Sequence, residues 1–351
     1  MGFSESRIFK NEEILSPEHL PELLPHREQQ TQQLAKNLEP AAKGRRAQNT
    51  FLFGSPGIGK TASTKFVFRQ FEQEYPTIKT IYINCWDYKT ANAVLGKIAE
   101  ELKAFTFRRG VGKDEILEKI VENCKKMKKG LIICLDEVDQ LIFNEQEVLY
   151  DLLRINQYIE NPVGIVFISN NPHVFVNIEP RIKSSLNIEE IEFRAYNIEE
   201  MKDILQERVK LAFISFEPAI VLLAANHAVM NGGDVRIGLE CLMKAGRVAE
   251  QESNKVKVGH MKRILSSVKP VKPEILKERI NEDERVILEI VNEYKTLNSG
   301  ELYEIYSKKI EVPVSDRRFR DFVNHLADIS LVKVRERKRG ALGKTRMISR
   351  A

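Results

Sequence analysis

The segment Gly54 to Thr61, "GSPGIGKT", follows the apolar run "TFLF" and precedes a helical pattern, and this order constrains the fold more than any other stretch. Gly-x-x-x-x-Gly-Lys-Thr between a strand and a helix is a phosphate-holding loop. Its glycines let backbone N–H groups turn inward around an anion, and the following helix N-terminus adds its dipole. The spacing assigns the cradle to Gly54, Pro56, Gly57, Ile58 and Gly59, with Lys60, Thr61 and Ala62 opening the helix. Lys60 is expected to reach the β- and γ-phosphates of ATP or ADP, and the Thr61 hydroxyl to ligate Mg2+.

Such a loop implies a parallel sheet covered by helices, and the rest of the first half fits. Strand-length apolar runs recur at 50–53, 80–84, 131–135, 163–169 and 188–193, separated by helical patterns. Helices alone follow, at 198–212, 218–230, 235–252 and 258–268, which reads as a small lid. "VKPVKP" (268–273) then breaks the pattern as a linker. Beyond it, helical stretches at 274–294, 299–310 and 315–329 and two strand-like runs, "VKVRE" and "TRMIS", predict a winged helix-turn-helix. The expected domains are 1–195 (α/β), 196–270 (lid) and 271–351 (winged helix).

A phosphate-bound Mg2+ needs a second anchor, and "LIICLDEVD" supplies an apolar strand ending in Asp136 and Glu137. Asp136 is expected to hold the metal, through water, and Glu137 to polarise an attacking water. Two acids can also merely terminate a strand. The four cysteines, Cys85, Cys124, Cys134 and Cys241, lack C-x-x-C spacing and read as small buried hydrophobes. No apolar run reaches membrane-span length and the first residues lack a secretory pattern, so a cytoplasmic, nucleoid-associated protein with no membrane partner is expected. The opening twenty or so residues carry little signal.

The P-loop, "LDEVD", "VFISNN", "EPRIKSSL" and "GGDVRIGLE" together resemble an AAA+ ATPase. "LPHREQQTQQLAKNL", "YINC" and "PRIKSSL…YNIEEMKDILQERV" narrow the resemblance to the archaeal replication initiators of the origin recognition complex and cell-division-cycle loader family. It runs from about Leu24 to the C-terminus. The resemblance implies Asn170 as a first sensor near the γ-phosphate, Arg181 as a finger toward a neighbouring subunit's nucleotide, and Arg236 as the lid sensor. It also places Arg27, Tyr196 and Arg208 near the nucleotide. Locally, "YNIEEM" is explained as well by Asn197 capping a helix, Glu200 closing the box and Tyr196 stapling onto Met201.

The net charge is +5, and the sharpest basic run lies at the end: Lys333, Arg335, Arg337, Lys338, Arg339, Lys344, Arg346 and Arg350 stand against Glu336 alone between 331 and 351. That is the footprint of a phosphate-backbone partner. In "SDRRFRDFVNHLADI", Phe319, Phe322, Val323, Leu326 and Ile329 form one helical stripe, leaving Arg317, Arg320, Asp321 and Asn324 on the far side. Arginine and asparagine pair with guanine and adenine edges. Arg337, Lys338, Arg339 and Lys344 surround the glycines of a basic wing.

The reading is therefore an ATP-binding initiator that recognises double-stranded origin DNA, helps recruit the replicative helicase, and uses ATP hydrolysis as a slow switch. The Arg181 partner is a second initiator copy or a paralogue. Two alternatives stay open: a DNA-binding regulator with a structural nucleotide, and a loader or remodeller acting on protein. A helical stretch after the acidic strand (140–160), which the family uses on DNA, carries Arg154 as its sole basic residue, so its charge argues against that role here.

Overall fold

The structure, a computed structural model, describes residues 6–104, 112–127, 129–160, 163–176, 178–265, 267–268, 281–294, 296–310, 313–328, 331–338 and 344–350. It divides into two compact units between Val268 and Lys269.

The first unit is built on a five-stranded sheet of β1 (Asn49–Phe53), β2 (Ile78–Asn84), β3 (Gly130–Asp136), β4 (Val163–Ser169) and β5 (Ile188–Glu192). The strands are parallel in the order β2-β3-β4-β1-β5. All seven residues of β3 and of β4 are buried, so central strands read as unbroken apolar runs; at the edges β2 alternates buried with half-buried positions and β5 includes exposed ones. Parallel strands need crossover helices. These are α2 (Lys60–Glu74), α3 (Ala91–Glu101), α4 (Lys113–Met127), α5 (Asp139–Asn144), α6 (Gln146–Arg154) and α7 (Pro180–Leu186), while α1 (Glu28–Ala42) precedes β1. Val148, Leu149, Leu152 and Leu153 turn one face of α6 inward, the sheet-covering role its periodicity predicts.

Register places the site. Asn84 pairs with Asp136, Asp136 with Ile168, and Phe53 with Ser169, so the residues following β1, β3 and β4 emerge together at the carboxyl edge. β1 lies between β4 and β5, and the chain order reverses there, which is where open parallel sheets hold ligands.

Four helices complete the unit: α8 (Ile198–Ala212), α9 (Ala219–Met230), α10 (Val235–Glu252) and α11 (Val258–Leu265). α8 starts with the expected capping box, Asn197 and Glu200 each accepting from the other's backbone N–H at 2.9 Å. One hydrophobic cluster joins Ile191 and Phe193 of the sheet side to Met201, Leu205 and Ile237 of the helices, so the core is continuous across residues 195/196.

The N-terminal residues, unreadable in sequence, pack on these helices. Ile8 and Leu15 are fully buried, and the Lys10 N–H donates to Ala212 O at 2.8 Å. The Phe9 ring fills space that only a glycine leaves at 246, where an added β-carbon would lie 2.4 Å from it.

The second unit has α12 (Glu282–Tyr294), α13 (Ser299–Lys309) and α14 (Asp316–Asp328) on an antiparallel sheet of β6 (Thr296–Asn298), β7 (Val332–Lys338) and β8 (Lys344–Arg350), ordered β6-β8-β7. This is the expected winged helix. β6 was missed because three residues are too short for a period-two pattern. Phe319, Phe322, Val323 and Leu326 are buried with Tyr306, Leu302 and Ile287, as the helical stripe predicts. Ile329, and the expected first turns of the helix beginning at 274, lie outside the described residues.

Candidate functional site

The glycine loop leaves β1 and enters α2. Gly57 (φ +69°) and Gly59 (φ +96°) take left-handed backbone that side-chain-bearing residues avoid, and Gly59 caps α2. Ile58 between them points into the core and is fully buried, which anchors the loop, whereas Pro56 is exposed and Ala62 half-buried on the first turn of α2. The Lys60 ammonium donates to Gly54 O (2.6 Å), Ser55 O (2.8 Å) and Asn170 Oδ1 (2.9 Å), satisfying all three protons. Burial lowers its pKa to about 8, opposed by Asp136 and reinforced by Arg236. Lys60 and the expected sensor Asn170 are thus brought together at the carboxyl edge.

Asp136 ends β3 with three donors on its carboxylate. Thr61 Oγ1 (2.6 Å) and the Tyr82 hydroxyl (2.7 Å) donate to Oδ2, and the Glu137 N–H donates to Oδ1 (2.9 Å). A hydroxyl and a carboxylate from separate elements are hard oxygen donors, a set that suits Mg2+ shared with phosphate oxygens. Glu137 stands at φ +54°, unusual for a residue with a side chain, and this turn projects it from the strand end. The turn is held by Val138 N–H on Ile168 O (3.0 Å) and Ser169 Oγ on Asp139 Oδ1 (2.8 Å).

α10 closes on the loop from the lid side. Asp234 caps the helix, and the Val235 N–H donates to Gly57 O at 3.1 Å. Arg236 grips the Asp234 carboxylate with Nε and Nη2, at 2.6 Å for the shorter contact. The hydrogen bond to Asp234 raises its pKa, and Glu137 adds to the same direction, so the guanidinium is within electrostatic reach of both Glu137 and Lys60.

Arg27 and Tyr196 lie against the glycine loop. Arg27, 4% exposed, donates to Ile58 O (3.0 Å), His26 O (3.0 Å) and Arg194 O (2.7 Å), with its guanidinium 3.7 Å from the Tyr196 ring centre. A β-carbon on Gly59 would sit 2.9 Å from the Tyr196 hydroxyl. Burial raises the Tyr196 pKa to about 12. Arg208 goes elsewhere: it donates to Ile14 O (3.0 Å) and His19 O (2.9 Å), pinning the N-terminal segment to α8. The resemblance places Arg208 near the nucleotide; in this structure its guanidinium holds that segment's carbonyls. Arg181 is half-exposed on α7, paired with Glu179 (2.6 Å) and Glu147 (3.6 Å) and lying over Tyr150.

In the second unit, Arg317, Arg320, Asp321 and Asn324 are exposed along α14, opposite its buried stripe. Arg320 pairs with Asp316 one turn before it, and Arg346 of β8 donates to Asn324 Oδ1 at 3.1 Å, tying strand to helix. Glu284 of α12, 2% exposed, bonds His325 and fixes α14 from its inner side. Arg337, Lys338 and Lys344 are placed by their backbones on the hairpin, Lys338 opposite Lys344; their side chains, and Arg339 entirely, lie outside the described residues.

The AAA domain family matches residues 43–173, and the Cdc6 AAA+ ATPase-type lid domain matches residues 202–263. ORC1-type DNA replication protein 1 of Sulfurisphaera tokodaii is 34% identical over 371 residues, spanning 100% of this chain and 92% of its own. The protein of the same name from Archaeoglobus fulgidus is 34% identical over 98% and 88% of the two chains. This chain belongs to the ORC1-type DNA replication proteins. It is an initiation protein of the AAA+ class with a Cdc6-type lid. Among solved structures, the Aeropyrum pernix ORC1 protein in complex with DNA has TM-score 0.75 at 31% identity, with 99% of this chain and 94% of that one covered. Cdc6p from Pyrobaculum aerophilum shares the fold, with TM-score 0.67 at 23% identity over 97% and 94%.

In this ORC1-type chain the sequence reading missed Tyr82, Asp234 and the N-terminal segment. The quoted "YINC" and "GGDVR" held the first two, but neither a tyrosine in an edge strand nor an acid before an arginine announces a contact with a loop distant in sequence. All four cysteines are buried, and burial raises Cys124 to about 11 and Cys241 to about 12, as befits packing residues.

Proposed function

We propose that this initiation protein binds ATP or ADP with Mg2+ at the loop of Gly54, Pro56, Gly57, Ile58, Gly59, Lys60, Thr61 and Ala62, and that it recognises origin duplex DNA through the winged helix. Thr61 and Asp136 would hold the metal, which would supply positive charge against the phosphates. Lys60, Asn170 and Arg236 meet the γ-phosphate, and Glu137 orients the attacking water. Arg27 and Tyr196 brace the loop. Hydrolysis acts as a switch between states of the lid, and Arg181 reaches the nucleotide of a second copy or a paralogue. Arg317, Arg320 and Asn324 face the major groove, while Arg337, Lys338, Arg339 and Lys344 of the wing face phosphates. The DNA-bound assembly then recruits the replicative helicase.

One observation carries this reading: Asn170 and Asp136, distant in sequence from the loop, meet the adjacent Lys60 and Thr61 by hydrogen bonds of 2.9 and 2.6 Å at the mouth of the glycine loop. The DNA part is supported by the exposed Arg317, Arg320 and Asn324 and by the solved DNA complex of the Aeropyrum pernix relative.

The test is binding to a fluorescent duplex from the chain's own replication origin against a shuffled duplex, across a salt series, with and without ATP and Mg2+. The expected result is an origin preference that survives moderate salt. Equal binding that vanishes with salt would reduce the wing to an electrostatic handle and favour a remodeller acting on protein.

A further inference from the structure

We infer that Tyr82 is a positioning residue for the Asp136 carboxylate and sets the Mg2+ requirement of nucleotide binding; the inference rests on the nucleotide reading above.

Tyr82 lies on edge strand β2 in register with Cys134 of β3, two residues before Asp136. Side chains two apart share a face of the sheet, so Tyr82 is the diagonal neighbour of Asp136, at a spacing a long aromatic side chain can bridge. Its hydroxyl does so, 2.7 Å from Oδ2. The same oxygen accepts from Thr61 at 2.6 Å, while Oδ1 accepts the Glu137 N–H at 2.9 Å. Donors from β2, α2 and the turn after β3 therefore converge on one carboxylate.

The backbone of Asp136 is fixed independently, because its carbonyl accepts the Cys85 N–H at 2.8 Å. What remains free is rotation of the carboxylate. At 4% exposure, water is a poor substitute for a lost donor there. The Glu137 N–H holds Oδ1, and Thr61 and Tyr82 share Oδ2, so Tyr82 is the donor that would keep Oδ2 oriented when the Thr61 hydroxyl turns to a metal.

The ring is itself held. Its outer side lines a shallow groove with Phe68 and Thr80, and the Lys65 ammonium stands 4.2 Å from its centre. A phenylalanine would keep these packing contacts and lose the hydroxyl alone, which separates positioning from packing. Partners that orient a metal-holding carboxylate are known to tune metal affinity by about tenfold or more without touching the metal.

The experiment is titration of Mg2+ into the full chain with a fluorescent ATP analogue, wild type against Tyr82→Phe, with affinity also measured in excess chelator. The expected result is unchanged affinity in chelator and a Mg2+ midpoint raised about tenfold. An unchanged midpoint overturns the inference. So does an equal loss of affinity with and without Mg2+, which would make Tyr82 a packing residue. If wild-type affinity ignores Mg2+, the nucleotide–metal reading fails, and this inference fails with it.

Discussion

Asp234 of the lid occupies the space that a side chain on Gly57 would need: a β-carbon there would lie 1.8 Å from Asp234 Oδ1. The acid cannot easily withdraw, because Arg236 grips both of its oxygens and the Arg236 N–H bonds Oδ1 at 2.9 Å. The backbone at Gly57 is also left-handed, which costs an alanine about 1–2 kcal/mol. Gly57→Ala should therefore lower the melting temperature of the first unit by several degrees. Gly57→Ala with Asp234→Ala should recover the steric part and leave the backbone part, and calorimetry of the two variants reads both.

Lys60 gives a pH signature. Its pKa is depressed by burial to about 8, from an unfolded value near 10.5. Between these values the unfolded chain binds more protons than the folded one, so without nucleotide this group makes stability rise with pH across the window. Lys60→Met should flatten that rise in denaturant unfolding at pH 7.5 and 10. In the wild type, affinity for a triphosphate should fall as pH climbs above about 8, because the ammonium charge is lost.

Glu137 combines a strained backbone with a carboxylate at the strand end. Glu137→Gln keeps the shape and the turn, so nucleotide should bind normally while phosphate release drops by about 100-fold or more. Normal turnover in that variant would remove Glu137 from the mechanism.

Arg27→Lys should not behave as a conservative change. Three carbonyls accept from one planar guanidinium that also stacks on Tyr196, and an ammonium cannot reproduce the fork. The expected loss is about 2–3 kcal/mol in urea unfolding, with weaker nucleotide binding because Ile58 O loses its donor.

Arg320→Ala tests the exposed face of α14. If Arg320 reads a base, the preference for origin over shuffled duplex should shrink by about 1–3 kcal/mol. If it contacts phosphate, both affinities should fall together and the salt slope should drop by about one. The mutation also frees Asp316, an exposed i, i+4 partner worth only a few tenths of a kcal/mol.

What the sequence disclosed follows the range of the interactions concerned. The strands ending at Phe53, Asp136 and Ser169 were legible because central parallel strands are apolar on both faces, and the glycine loop because its chemistry is local. The capping box at Asn197 and the stripe from Phe319 to Leu326 are local too. Tyr82 on Asp136, Asp234 on Gly57 and Arg208 on Ile14 and His19 join residues 54 to 194 positions apart. No periodicity encodes such pairs. Arg208 holds the carbonyls of an opening segment that carries little sequence signal, so that contact was not legible either.

Arg27 lies upstream of residue 43, where the AAA domain match begins, yet its guanidinium ties the loop at Ile58 to the chain after β5 at Arg194. A fragment cut at the conventional module edge would keep every motif residue and lose the brace behind them. The smallest piece that can report faithfully on the phosphate loop must reach back through α1 and, since Arg208 ties Ile14 to α8 and Ile8 is fully buried, back through Ile8.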